Sequence, residues 1–201
     1  MTVATGSTVF LGGTSTVFRF DGTSTGGAAT QPLTDAGITT TQLGYDLVAV
    51  GAQVFSVDST TSTTASRLFR IFDGTDWRVT PWDVTPAYPT SAPTHAIATD
   101  GTSVFLTTRR TAANSGVEFY AVSASMPGTP LLVGTNPALW YAVGLAVDST
   151  YFYLASNGPQ GEGVYRVSRA NIAAAPVRLA ALDTGTLINN LEVDSAMVPQ
   201  N

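Results

Sequence analysis

Cysteine and lysine are both absent from this chain of 201 residues, and histidine occurs once, as His95. Without cysteine the chain has no disulfide, no zinc–thiolate site and no thiol nucleophile. A single histidine excludes a multi-histidine metal site, and no serine or carboxylate lies in a recognisable catalytic-triad context. We therefore predict no catalytic residue, no metal site and no cofactor.

Charge is scarce as well. Charged residues make up 11% of the chain, whereas an average globular domain has about 25%. The formal net charge is −5, and the nine basic residues, all arginines, are spread along the sequence. Nucleic-acid binding needs clustered positive charge to displace counterions from phosphates. Nucleic acid is therefore not an expected partner.

Long apolar runs are also missing. No segment approaches the roughly 20 residues that a membrane-spanning helix needs, so we predict no membrane span. The N-terminus, MTVATGSTVF, lacks the basic start and apolar stretch of a signal peptide. A cysteine-free, lysine-free and threonine-rich composition fits a bacterial protein exported to an oxidising space, and we predict an extracellular or cell-surface location. The same composition fits a cytoplasmic protein nearly as well.

The chain is rich in threonine, serine and glycine, as in TGSTVFLGGTSTVF. Threonine is β-branched, so it favours a pleated strand over a helix interior. No segment has apolar residues at helical spacing over three turns, and the nearest, SRANIAAAPV, is interrupted by Pro176. The composition predicts an all-β protein.

A repeat organises the chain. Four stretches share a short apolar strand, a polar turn, two alternating strands and a weaker fourth strand, and they begin at Val3, Leu47, Ala96 and Leu145. The equivalent turn positions are Thr5, Val50, Asp100, Asp148 and Asp194. They recur about every 45 to 50 residues, the period of four-stranded propeller blades. The turn aspartates are expected to accept backbone N–H bonds within their own turns.

The predicted fold is a β-propeller of four four-stranded antiparallel repeats plus one extra strand, or half of a larger propeller. We expect a single domain over residues 1–201, with repeats at about 3–46, 47–94, 95–142 and 143–186. The strand at 187–194 closes the ring, marks a cut in a longer protein, or docks a second subunit. An open arc exposes an unpaired strand edge at each end, which favours a homo-oligomer.

The phrases GLAVDSTYFYLAS, GVYRVSR and NNLEVDS are similar to blades of NHL-type and gluconolactonase-like propellers, and to propeller repeats of secreted bacterial proteins. The shared residues are those that any blade needs, so the resemblance implies an architecture and no specific family. Enzymatic members carry metal-binding Glu, Asn and Asp residues. Only Asn190 and Asp194 resemble that pattern here, and this departure argues against an enzyme.

In a propeller, the loops that lead into the innermost strands open near the central channel, where ligands usually bind. The repeat alignment predicts a ligand-binding set there: Tyr45, Asp46, His95, Trp140, Tyr141, Asn189 and Asn190. Such side chains can hydrogen-bond a polar ligand and stack on it. The alternative is that they cap strands and seal the channel. Trp77 and Trp82 similarly form either a sugar platform or, as we favour, a filling between blades.

The leading hypothesis is a non-enzymatic binding or assembly module that recognises protein or carbohydrate at a cell or particle surface. One alternative is a lactonase-type, metal-dependent propeller hydrolase. Another is a structural subunit of a larger particle, of the tail or fibre type. Fold alone does not choose among these, because propellers host many unrelated functions.

Overall fold

A computed structural model describes residues 2–5, 8–12, 17–21, 29–31, 43–58, 68–83, 94–109, 116–182 and 191. Within these ranges all regular secondary structure is β-strand, and the strands form four sheets of four strands each. In each sheet the strands pair antiparallel and in chain order. The predicted all-β class with four four-stranded antiparallel repeats is confirmed.

The first sheet contains β1 (Thr2–Thr5), β2 (Thr8–Gly12), β3 (Val17–Asp21) and β4 (Ala29–Gln31). The second contains β5 (Leu43–Val50), β6 (Gln53–Asp58), β7 (Leu68–Phe72) and β8 (Trp77–Pro81). The third contains β9 (Thr94–Thr99), β10 (Ser103–Arg109), β11 (Val117–Ser123) and β12 (Leu131–Asn136). The fourth contains β13 (Tyr141–Val147), β14 (Tyr151–Gly158), β15 (Gly161–Ser168) and β16 (Val177–Ala181).

Consecutive sheets pack against each other through their first strands, so that β5 lies beside β1 and β9, and β9 lies beside β13. Within the part of the chain that the structure describes, β13 makes no comparable contact with β1. The sheets therefore follow one another in space in the order of the sequence, and we call the first strand of each sheet its inner strand and the fourth its outer strand.

Strand alternation gives each internal sheet two buried faces. In β10, Val104 and Leu106 belong to the core shared with the second sheet, whereas Phe105 belongs to the core shared with the fourth. In the core between the third and fourth sheets, the centre of the Phe152 ring lies 5.2 Å from that of Phe105 and 4.8 Å from that of Phe119. Side chains of this size bury enough apolar surface to hold neighbouring sheets together.

Side-chain hydrogen bonds from residues near the end of one sheet also connect that sheet to the next. Trp82, which directly follows β8, is buried against Phe55, and its indole N–H donates to the carbonyl oxygen of Ser123 in the third sheet at 2.8 Å. The interpretation of Trp82 as filling between sheets is confirmed, while the Trp77 side chain lies outside the described residues. One sheet further along, the Asn136 side-chain amide donates to the carbonyl oxygen of Ile172 at 2.7 Å.

The turn aspartates behave as predicted. Asp100 Oδ1 accepts hydrogen bonds from the amides of Thr102 and Ser103, and Asp148 Oδ1 accepts them from Thr150 and Tyr151. Burial acts to raise the pKa of Asp148, but these bonds outweigh it and hold that pKa below its usual value. The prediction is confirmed at both turns, and Asp194 lies outside the described residues.

Candidate functional site

Most of the predicted ligand-binding residues lie inside strands. Tyr45 and Asp46 belong to β5, His95 belongs to β9, and Tyr141 is the first residue of β13. The expectation that the loops before the inner strands carry these residues is therefore wrong for these four. The inner strands begin further upstream than the apolar pattern indicates, and Leu43 already pairs with Asp58.

The pairing register shifts in each of these three inner strands, with one extra residue in β9 and one in β13. In β9, Thr94 and Ala96 pair with two adjacent residues of β10, which leaves His95 between them as the extra residue. In β13 the extra residue is Val143, and in β5 the register shifts between Leu43 and Leu47. Bulges are frequent next to active sites because they re-aim side chains and end regular pairing. We call this row of bulges the bulged mouth.

Asp46 joins the inner strands of the second and third sheets at the bulged mouth. Its carboxylate is 2% exposed and accepts a bond from the Ile97 amide at 2.9 Å and from the Leu47 amide at 3.0 Å. Burial raises its pKa from 3.8 to about 8, because the desolvation of a charged carboxylate outweighs these two donors. Asp46 is thus a buried group that bridges two inner strands.

Trp140 and Tyr141 lie at the start of the fourth sheet's inner strand. The Trp140 amide donates to the carbonyl oxygen of Asn157 at 2.9 Å, and the Ser156 hydroxyl donates to the carbonyl oxygen of Tyr141. The backbone is therefore fixed to β14, yet the indole of Trp140 is 49% exposed and Tyr141 is half-buried. A fixed, exposed aromatic ring is a suitable stacking surface for a ligand.

The other predicted site residues are described in part or not at all. The backbones of Tyr45 and His95 are described and their side chains are not, and Asn189 and Asn190 lie outside the described residues. The structure brings the strands of Asp46 and His95 next to each other, and β9 lies next to the strand of Tyr141. The ligand-binding role of the whole set stays a prediction.

A polar cleft that the sequence did not indicate lies between the first turns of the third and fourth sheets. Its volume is about 720 Å³, and it is lined by Thr99, Asp100, Thr102, Val147, Asp148, Ser149, Arg169 and Ala170. Arg169 donates to Asp100 Oδ2 at 2.8 Å and to the Asp148 carbonyl oxygen at 2.6 Å. Its guanidinium lies 5.0 Å from the centre of the Phe105 ring. These bonds connect the third and fourth sheets across the cleft.

The outer strands of the third and fourth sheets expose aliphatic side chains. Leu131 is 68% exposed, and the neighbouring Leu132 and Val133 in β12 are also exposed, as are Val177 and Leu179 in β16. β12 contains no charged residue, and both amino groups of Arg178 in β16 donate to backbone carbonyl oxygens. Exposed apolar patches of this kind mark interaction sites. The repeat pattern predicts these strands but not the exposure of their side chains.

Across the described ranges, no three His, Cys, Asp or Glu side chains are grouped in a way that could hold a metal ion. The same residues contain no helix of the length and hydrophobicity that crossing a membrane requires.

No protein-family model matches the chain, and a search of curated proteins finds no match. Solved structures do match in fold. The extracellular domain of a protein assigned as a one-component system from B. thetaiotaomicron aligns with a TM-score of 0.64 and 13% identity over 96% of this chain and 24% of its own. An auxiliary nutrient-binding protein from Bacteroides ovatus aligns with a TM-score of 0.58 and 11% identity, over 89% of this chain and 40% of its own.

A third structure, a protein from Bacteroides uniformis assigned as a 6-phosphogluconolactonase, aligns with a TM-score of 0.59 and 15% identity, over 90% of this chain and 54% of its own. At these identities the likeness shows the β-sheet fold alone. The chain spans between a quarter and about half of the length of these proteins. Two of the three are described as an extracellular domain and a nutrient-binding protein.

Proposed function

We propose that the chain is a non-enzymatic binding module that recognises a carbohydrate at the bulged mouth, outside the cell. The observation that supports this most is the exposed indole of Trp140 on a fixed backbone next to the row of bulges. A flat apolar ring complements the C–H face of a sugar ring, and hydroxyl and backbone groups around it supply hydrogen bonds. The similar extracellular and nutrient-binding structures support the same assignment.

The test is a glycan array followed by calorimetry on any glycan that binds. Trp140→Ala should weaken binding about tenfold or more, which corresponds to about 1.4 kcal/mol. Met126→Ala is the matched control, since Met126 is also exposed but lies after β11 in the third sheet. Binding by Trp140→Ala as tight as by the unaltered chain would contradict this function, and so would an array with no bound glycan.

A second candidate is protein recognition through the outer strands, which the exposed aliphatic side chains of β12 and β16 favour. An extended segment of a partner can add to such an edge, with backbone bonds for affinity and side-chain contacts for specificity. A protein isolated on the immobilised chain would be purified and its affinity measured. Leu131→Arg combined with Leu179→Arg should weaken that affinity about tenfold or more, and unchanged affinity would exclude this surface.

A lactonase-type hydrolase is the remaining alternative, and the fold likeness to the B. uniformis protein is what favours it. That activity would require a metal at the channel mouth. Elemental analysis of the purified chain and a lactone-hydrolysis assay separate the two functions. Stoichiometric calcium or zinc together with hydrolysis would replace the binding module with an enzyme.

A further inference from the structure

The second strands share one packing rule wherever a neighbouring sheet is present. In β6, β10 and β14 the second residue faces the preceding sheet, and in β2, β6 and β10 the third residue faces the following one. Val54, Val104 and Phe152 are these second residues in β6, β10 and β14, and all three are fully buried in the cores formed with the preceding sheet. Each junction thus joins a third residue of one sheet to a second residue of the next.

Three junctions inside the chain follow this rule. Phe10 of the first sheet shares a core with Val54. Phe55 of the second sheet shares a core with Val104. The ring of Phe105 in the third sheet contacts that of Phe152 at 5.2 Å. The same face-to-face packing is therefore used three times in succession.

The first and the fourth sheets each have one face that lacks this junction within the described residues. Val9 is the second residue of β2, and it is 36% exposed where its three counterparts are fully buried. Its cross-strand neighbour Ala4 is exposed as well. At the other end Tyr153 is the third residue of β14, in the place of Phe10, Phe55 and Phe105, and it is half-buried. Within the described residues, the fourth sheet is not seated on the first sheet of the same chain.

The outward face of the fourth sheet carries half-buried aromatic and aliphatic side chains that a neighbouring sheet would cover. Arg166 pairs across the strands with Tyr153, and its guanidinium lies 4.5 Å from the centre of the Tyr151 ring. The Tyr153 hydroxyl donates to Asp148 Oδ2 at 2.8 Å, so its polar end is already satisfied. Val164 lies two residues before Arg166 on the same face. On the other side, β1 and β2 contain no charged residue that burial would have to desolvate.

We propose that the fourth sheet of one copy packs against the first sheet of a second copy, so that Tyr153 of one molecule meets Val9 of the other. The contact repeats the junction that is used three times within the chain. In a dimer with a two-fold axis, the fourth sheet of each copy covers the first sheet of the other. The product is a closed ring of eight sheets, within the usual four to eight blades of a propeller. This assembly does not depend on the proposed function.

Light scattering and sedimentation of the full chain test it. The expected result is a concentration-dependent dimer with twice the 20.8 kDa mass of the chain. Val9→Arg and, separately, Val164→Arg should each raise the dimer dissociation constant about tenfold or more. Met126→Arg is the matched control, because Met126 is exposed after β11 in the third sheet, which carries neither end face, and it should leave the dimer intact. Circular dichroism checks that each variant folds, with Arg166→Glu as the replacement if Val164→Arg does not.

Mixing the two variants identifies which faces meet. A heterodimer of Val9→Arg with Val164→Arg has one intact junction, so the mixture should recover a dimer that is weaker than that of the unaltered chain. A monomer at every concentration would overturn the proposal. So would a dimer that Val9→Arg leaves unchanged, or a mixture that stays monomeric, since the last result points to contacts between identical faces.

Discussion

Replacing Asp46 by Asn should change stability with opposite sign at low and high pH. The native carboxyl has a pKa of about 8 and the unfolded one 3.8, so between these values the native state binds one more proton than the unfolded state. The free energy of unfolding should then fall by about 1.4 kcal/mol for each pH unit as the pH rises through this window. Ionisation of this buried carboxyl therefore destabilises the native state relative to the unfolded state.

The amide in Asp46→Asn cannot ionise, but it also loses an acceptor. Its NH2 group faces one of the two amides, of Leu47 or Ile97, that now donate to the carboxylate. An unpaired buried donor costs about 1–3 kcal/mol. The variant should therefore be less stable than the unaltered chain near the lower pKa. The difference should shrink as the pH rises, and the variant should become the more stable of the two before the upper pKa is reached.

Urea denaturation over this pH range measures both free energies, with the slope m as the check that the unfolded states are comparable. Asp76→Asn removes a carboxylate from an exposed turn and is the matched control. A stability difference for Asp46→Asn that does not vary with pH would refute the reasoning. A variant that becomes relatively less stable as the pH rises would show that the two amide donors outweigh desolvation.

Three further changes test the packing, each measured by the urea midpoint. Phe152→Ala should destabilise the chain by about 3–5 kcal/mol, because it empties the core between the third and fourth sheets; a loss below about 1 kcal/mol would show that this core is absent. Trp82→Phe should cost about 0.5–1.5 kcal/mol, the net value of one hydrogen bond, by removing the indole donor to the carbonyl oxygen of Ser123, and a midpoint that does not move would contradict that bond. Gly116→Ala should be severely destabilised, since Gly116 has a φ of +101° and an added Cβ would lie 2.5 Å from the carbonyl oxygen of Asn136; a normally folded variant would contradict this backbone.

The sheets were predictable because their determinants are local. Alternation in segments such as SVFLTTR and VEFYAVS places every second side chain on one face, and β10 and β11 follow that pattern. The turn aspartates act within three residues of themselves, so Asp100 and Asp148 were recognisable from sequence alone. The burial of Trp82 followed from its size and its place after an outer strand.

The candidate site was harder to predict because its determinants are not local. A bulge is set by register against a partner strand, and the sequence around His95 and Val143 does not carry that register. The hydrogen bond from Arg169 to Asp100 joins residues that lie far apart in the chain. The bridge from Asp46 to the Ile97 amide joins two sheets in the same way. Only the packing of one sheet on the next creates these contacts.

The most direct test of the account is a nuclear Overhauser map of aromatic and methyl contacts in solution, because the central claim is that each sheet packs only on the sheets before and after it. The account predicts contacts between Phe10 and Phe72 and between Phe105 and Phe152, together with proximity of the Trp82 indole proton to Ser123. Contacts between core residues of the first and third sheets in place of these would contradict it, because they would describe two sheets facing each other in a sandwich.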